Sequence, residues 1–293
     1  MNVFTLFFRD KGHSLRIYDV DCSKSEVASK KYGVQWFDSE PCAVSNADLV
    51  ILCTPIRETP KVIQEVIQHM KKGSTLCEIA SLKTRTAAAL SSTEDRCIQP
   101  LSIHPMFGPD IGKMEGQTIV VVPIRDCEME TSLTRELFPR NEVVVIDAET
   151  HDSCMATILA LPYFMNLVFA KTIPVGNMAL LRRLAGTTFT VQLAVAQSIV
   201  GESPELIESL INENVFSGAY ISKFIDESNN VRGLLDKEPD GIKEYCDALH
   251  AEMIKDPEEV KSMRIRNALF ENLKVNKVSS ALNLFKIRRS HQS

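Results

Sequence analysis

Asp48-Leu-Val-Ile-Leu-Cys-Thr54-Pro55 constrains the fold of this chain more than any other stretch. Its apolar residues are continuous rather than alternating, the pattern of a strand buried on both faces of a parallel sheet. Thr75-Leu-Cys-Glu-Ile-Ala80 and Ile98 to Ile103 repeat it, and helical patterns at Thr59 to Met70 and Lys83 to Leu90 separate the three. Before them, residues 3 to 10 place Val3, Phe4, Phe7 and Phe8 at helical spacing. Ser14 to Asp19 then reads as a strand ending in an acid, followed by a polar helix to Tyr32 and a short strand at Gly33 to Phe37. Gln117 to Pro123 and Glu142 to Ile146 complete a strand-rich half. Strands alternating with helices at this spacing predict an α/β fold with a doubly wound, parallel, Rossmann-like sheet over residues 1–147.

From Ala148 the pattern changes to long helical segments, so residues 148–293 are expected to form an all-helical domain. Met155 to Ala170 is apolar around much of its circumference, and Gly186 to Thr190 interrupts the helices before Val191 to Val200 resumes them. Helix breaks are also expected near Gly233 and at Glu238-Pro239-Asp240-Gly241. A small domain with such apolar faces is expected to pair with a copy of itself, as a homodimer.

Composition excludes several classes. A formal net charge of -5 gives no support for nucleic-acid binding, and the terminal Lys286-Ile-Arg288-Arg289 cluster reads as a solvated tail. The 8 cysteines are scattered singly, with no spacing suited to a metal, so reduced thiols and a cytoplasmic enzyme are expected, with no metal. No apolar run is read as approaching the roughly 18 residues of a membrane span, so no membrane partner is expected.

Ligands of open α/β sheets bind at the carboxyl ends of the strands. There Asp19 can accept hydrogen bonds from a ribose diol and repel a 2′-phosphate, which favours NAD over NADP; alternatively it caps the following helix, and Asp21 is the neighbouring candidate. A dinucleotide fingerprint also needs a strand and a G-x-G-x-x-G turn before that acid. The sequence given starts at or inside the helix that such a turn would open. The reading therefore expects the first strand and its turn to precede residue 1, leaving unpaired edges on the neighbouring strands; the alternative is a chain that does not bind a dinucleotide in the usual way.

Cys53, Thr54 and Pro55 can line a nicotinamide pocket or simply stop a strand. Ser81 can cap a helix or reach an imidazole at the same sheet end, and Lys83 can meet a substrate carboxylate or face solvent. The imidazole is that of His104, in His104-Pro-Met-Phe-Gly-Pro-Asp110, where a strand runs into a rigid loop; histidine moves protons near neutral pH.

The order of these motifs, closed by Glu149-Thr-His151-Asp152 and a long apolar helix, resembles the prephenate dehydrogenase family, which includes arogenate and cyclohexadienyl dehydrogenases. The resemblance covers about residues 1 to 215 and implies NAD(P)-dependent oxidative decarboxylation of prephenate to 4-hydroxyphenylpyruvate, on the route to tyrosine. It assigns His104 as the base at the ring hydroxyl, Ser81 as the residue orienting histidine and substrate, and His151 to the substrate site, unless His151-Asp152 is a structural cap. Two departures stand out. Tyr163 occupies the place of a frequent histidine, and Phe189-Thr190-Val191 that of an arginine clamp, for which Arg182 and Arg183 are candidate substitutes. These departures, with the absent glycine-rich turn, motivate a second reading, a non-catalytic homologue that binds an aromatic metabolite or partner. A third is a β-hydroxyacid dehydrogenase, for which Lys171 is the candidate lysine and in which the His104 motif has no task.

Overall fold

The apolar runs of the first half each become a strand. In the computed structural model, which describes residues 2–93, 96–108, 111–235, 240–258 and 261–271, β1 (Arg16–Ile17) and β2 (Gln35–Trp36) pair in parallel. A second sheet has the order β3 (Leu49–Leu52), β4 (Thr75–Glu78), β5 (Gln99–Pro105), β6 (Thr118–Val121) and β7 (Glu142–Val145). Successive residues of the runs divide between two cores, as the period of two demands. Val50, Leu52 and Leu76 join one core with Ile63 and Val66 of α4 (Thr59–Val66) and Leu90 of α5 (Thr84–Ser91). Leu49, Ile51, Cys77, Leu101 and Ile103 join the other, under α1 (Asn2–Asp10) and Phe138. Phe4, Phe7 and Phe8 of α1 all lie within 6.1 Å of the Phe138 ring, centroid to centroid.

The break expected in the sheet is present. Among the described residues β1 pairs only with β2, and β3 only with β4. Between the two strands of the smaller sheet runs α2 (Cys22–Tyr32), which Gly33 ends at φ 67°, a left-handed conformation that suits glycine.

Two features depart from the expected parallel sheet. First, β6 runs antiparallel to β5, with His104 opposite Val120. The connection has no helix among its described residues, and a parallel neighbour would need a crossover element there. Second, α3 (Glu40–Val44) and α6 (Cys127–Leu137) escape a pattern reading, because one is a single turn or so and the other is mostly polar.

The long apolar helix is α7 (Ala148–Met155), a π-helical turn (Ala156–Ala160) and α8 (Leu161–Thr172) in succession. The Leu161 amide bonds the Ala156 carbonyl, and this widened turn directly precedes Pro162, whose ring is incompatible with the carbonyl of a regular preceding turn. The expectation that no segment is apolar enough to span a membrane needs correction: Ala148–Thr172 is long and apolar enough by length and composition, with a mean hydropathy of 1.6. Its first turns bury His151 and Asp152, whereas Asn166 is the one buried residue of α8.

The chain divides into two compact units, Met1–Phe164 with Glu202–Tyr220, and Met165–Gly201 with Ile221–Ser293. A boundary after residue 147 does not coincide with this division, because Met155 and Leu159 pack with Ile56, Ala80 and Leu82, and Leu206 and Leu210 of α11 (Pro204–Asn212) join the same cluster. Glu213 reinforces that packing, clasped by Arg57 at 2.6 Å and Arg85 at 2.9 Å.

The second unit contains α9 (Met178–Leu184), α10 (Thr187–Val200), α13 (Gly241–Met253) and most of α12 (Ser217–Leu235). The interruption expected at Gly186 to Thr190 shrinks to Gly186, the residue before α10; Thr190 already lies in its first turn and donates to the Gly186 carbonyl. α12 continues through Gly233 and ends at Leu235, two residues beyond the position near which a break was expected. Glu238 and Pro239, like the basic cluster at 286–289, lie outside the described residues.

Candidate active site

Parallel pairing of β4 with β5 sets Glu78 beside Ser102, so the chain leaving β4 and His104 near the end of β5 emerge at one sheet edge. Glu78 is a charged residue inside an apolar run, and its side chain is wholly buried. Such burial requires compensation. Lys83 Nζ donates to Glu78 Oε1 at 2.7 Å and to the Ile103 carbonyl at 2.5 Å, the Ser102 hydroxyl donates to the same carboxylate, and the Ala80 amide donates to Oε2 at 2.9 Å. Lys83 thus neither faces solvent nor presents its ammonium to a substrate carboxylate: it is 0 % exposed and paired. Its place just after a strand hid a partner five residues back in sequence.

His104 lies beside this ion pair and is 5 % exposed. Its Nδ1 is 2.9 Å from Nε2 of His151, and Nδ1 of His151 is 2.8 Å from Oδ1 of Asp152. Asp147 caps α7, accepting from the Thr150 amide, and thereby starts the helix that carries both partners. Asp152 in turn accepts from the amides of Lys83 and Thr84, each at 2.8 Å, and from the Thr84 hydroxyl at 2.5 Å. A carboxylate from α7 therefore caps α5, a task that Ser81 was a candidate for. Asn214 Nδ2 holds the Asp152 carbonyl at 2.7 Å.

Electrostatics follow from this packing. Burial above all, then the Lys83 ammonium and His151, hold the His104 imidazole well below its ordinary pKa, with Asp152 opposing. The ring is neutral at physiological pH and can accept a proton. For Asp152, burial works to raise the pKa, but the bonds from His151, the Thr84 hydroxyl and amide, and the Lys83 amide prevail and lower it.

Ser81 is half-buried, and among the described residues its hydroxyl bonds neither His104 nor any other group. His104 is oriented by His151 instead. Tyr163 packs its ring in the cluster of Ala80, Leu82 and Met106, which flank Ser81 and follow His104. Burial and then Glu202 raise its pKa. At the end of β3, Thr54 Oγ1 is 2.8 Å from Thr59 Oγ1, and Thr59 donates to the Pro55 carbonyl at 2.9 Å, so the Thr54-Pro55 turn is pinned while Cys53 and Pro55 remain exposed.

Asp19 does not cap α2; Asp21 does, accepting from the Ser23 amide. Asp19 Oδ1 accepts from the Asp21 amide at 2.9 Å, which fixes its side chain. Arg182, Arg183 and Thr190 belong to the second unit. Arg182 donates to Gln197 at 3.0 Å and Arg183 is exposed at the end of α9. Glu78, Ser102 and Asn214 stand in no motif of the sequence, and Asp152 was expected only as a cap; an acid in an otherwise apolar strand is the signal that marks Glu78.

Residues 4–123 match the family model described as prephenate dehydrogenase, nucleotide-binding domain. The chain is 25% identical over 209 residues to a probable arogenate/prephenate dehydrogenase of Methanocaldococcus jannaschii, a match covering 69% of this chain and 47% of that protein. It is 24% identical over 230 residues to the T-protein of Enterobacter agglomerans, covering 78% of this chain and 61% of that protein. The chain thus spans about half to three-fifths of the length of these relatives. The fold matches the crystal structure of prephenate dehydrogenase from A. aeolicus in complex with hydroxyphenyl propionate and NAD+, with a TM-score of 0.69 and 18% identity over 90% of this chain and 94% of that one. It also matches Synechocystis arogenate dehydrogenase, with a TM-score of 0.64 and 18% identity over 89% and 95%.

Proposed function

We propose that the chain, whose residues 4–123 match the nucleotide-binding domain of the prephenate dehydrogenase family, is a member of that family and oxidatively decarboxylates prephenate to 4-hydroxyphenylpyruvate for tyrosine biosynthesis, with NAD as the cofactor. The observation that carries this reading is a neutral, buried His104 whose ring is held at Nδ1 by His151 and whose Nε2 has no partner among the described residues. That nitrogen can accept the proton of the substrate's ring hydroxyl. When bound, oxidised NAD supplies the acceptor for the hydride lost from the same ring carbon. As the carboxylate leaves as carbon dioxide, its bonding pair enters the ring and aromatises it. His104 then returns its proton to the phenolate oxygen.

The residues present suit NAD at two places. Asp19 offers a carboxylate oxygen to a ribose diol and a charge adverse to a 2′-phosphate, and Cys53, Thr54 and Pro55 form an open, pinned turn at the end of β3 for the nicotinamide. We assign Tyr163, with Ser81, to the wall of the substrate site, and propose carboxylate binding for Arg182, Arg183 and Thr190. His151 acts on substrate through His104. Arogenate is the alternative substrate, and the M. jannaschii and Synechocystis relatives, whose names include it, support testing both.

We further propose a cytoplasmic homodimer formed through the helical unit. Its support is apolar exposure on neighbouring helices: Leu180 and Leu184 of α9 are 54% and 73% exposed, and Val195 and Val200 of α10 are 43% and 53%. For the activity, the full gene product is mixed with NAD and either prephenate or arogenate, and reduced nicotinamide is followed by absorbance. His104→Asn is expected to abolish turnover and leave the circular dichroism spectrum unchanged. Full activity in that variant would refute the assignment.

A further inference from the structure

Asp152, His151 and His104 form a line of three buried side chains whose hydrogen-bonding roles can be assigned from the outer end inward. Asp152 contacts the Lys83 amide, the Thr84 amide, the Thr84 hydroxyl and His151 Nδ1. Two of these partners are backbone N–H groups and can only donate. An ionised carboxylate offers about four acceptor positions, and these four contacts fill them. The carboxylate therefore receives a proton-bearing nitrogen from His151, so Nδ1 carries the hydrogen of that ring. Its Nε2 is then a lone-pair acceptor, and the contact at 2.9 Å requires Nδ1 of His104 to donate.

We propose that Asp152 and His151 are a positioning pair that locks His104 in the Nδ1–H tautomer, leaving Nε2 as the proton-accepting nitrogen. The purpose of that lone pair rests on the dehydrogenase reading above; the tautomer itself rests on the hydrogen-bond geometry alone. The pair also couples two parts of the site, since the carboxylate that fixes the ring is the one that caps α5 just after Ser81. The opposite assignment, a doubly protonated His151 donating to both neighbours, would find its counter-charge in Asp152 but would make Nδ1 of His104 the acceptor and put that ring's proton on Nε2, the outcome that the test below separates from the proposed one. The charged and titratable groups around His104 are thus Lys83 of the α5 entry, Glu78 of β4, and His151 and Asp152 of α7.

The test reads the tautomer directly. In protein labelled with 15N-histidine, the imidazole nitrogens are observed by NMR at neutral pH without substrate, and His104 is assigned by its loss in His104→Asn. The expected result is a protonated Nδ1 and a pyridine-like Nε2; a protonated Nε2, or a doubly protonated ring, overturns the proposal. In turnover, His151→Leu removes the acceptor and should lower kcat by about 10²- to 10⁴-fold while changing KM little, the range associated with losing an orienting partner or the correct tautomer. His151→Gln places an amide oxygen near the position of Nε2 and should recover about tenfold or more over the leucine variant. Equal kcat in the two variants also overturns the proposal. If the leucine variant fails to fold, the wild-type spectrum decides. The expected tautomer in a protein that oxidises neither prephenate nor arogenate would refute the functional reading alone.

Discussion

Glu78→Gln tests the buried framework behind His104 without changing its shape. In the wild type two unit charges sit 2.7 Å apart with both side chains 0% exposed. At an effective dielectric constant of about 20 their attraction is ~6 kcal/mol, which offsets their desolvation only while both charges and their further hydrogen bonds persist. The amide keeps one acceptor oxygen. It also points an N–H group at either the Lys83 and Ser102 donors or the Ala80 amide, all of which now find the carboxylate. Removing one partner of such a pair costs about 3–5 kcal/mol, and at ~2–4 °C per kcal/mol the melting temperature of the unit should fall by roughly 6–20 °C. Urea unfolding is the assay, followed through Trp36, the sole tryptophan, which lies on β2 in the same unit. The double variant Glu78→Leu with Lys83→Met replaces both charges with apolar groups and should recover most of the loss. A loss below about 1 kcal/mol in Glu78→Gln, or a double variant no more stable than the single one, would refute the ion pair as the support of this strand end.

Two further outcomes are expected. Asp19→Asn should raise the KM for NAD about 10- to 100-fold, as for a lost hydrogen bond to a charged group, and improve use of NADP by removing the charge that repels a 2′-phosphate; unchanged cofactor preference in steady-state kinetics would show that Asp19 does not meet the ribose. The lowered pKa of His104 should appear in stability. Below the ordinary histidine value of about 6.5 the unfolded chain takes up a proton that the folded ring does not, so this contribution is complete above ~6.5 and is lost as pH falls toward the folded value, with a slope of up to ~1.4 kcal/mol per pH unit. Urea midpoints for wild type and His104→Asn between pH 5 and 8 check this; parallel curves would contradict a depressed His104.

What the sequence revealed and what it hid divide according to the distance over which each interaction acts. Thr75 to Glu78 was legible as a strand buried on both faces because such burial is written into consecutive residues, and Leu49 to Leu52, of the same pattern, is a strand whose first three residues are half-buried. Asp19 and His104 were legible because one closely follows a strand and the other nearly ends one. The reversal of β6 was not, since strand direction is set by a connection whose residues carry no period. Lys83 was misread for a related reason. A lysine after a strand is ordinarily solvated, and only the register of β4 against β5, which brings Ser102 and Ile103 beside Glu78, makes a dry enclosure for its ammonium.

Asp152 shows the same limit from the other side. As a cap for its own helix it would be a local feature, and that helix is instead capped by Asp147. Its actual bonds reach the amides of residues 83 and 84, sixty-nine and sixty-eight positions away, and no spacing within either segment encodes that meeting. One carboxylate thus closes the start of α5, polarises His151 and, through it, sets which nitrogen of His104 is free. A substitution at Asp152 should therefore damage stability and proton transfer together, whereas His151→Leu, which leaves all three Asp152 bonds to α5 and its entry in place, should separate the two.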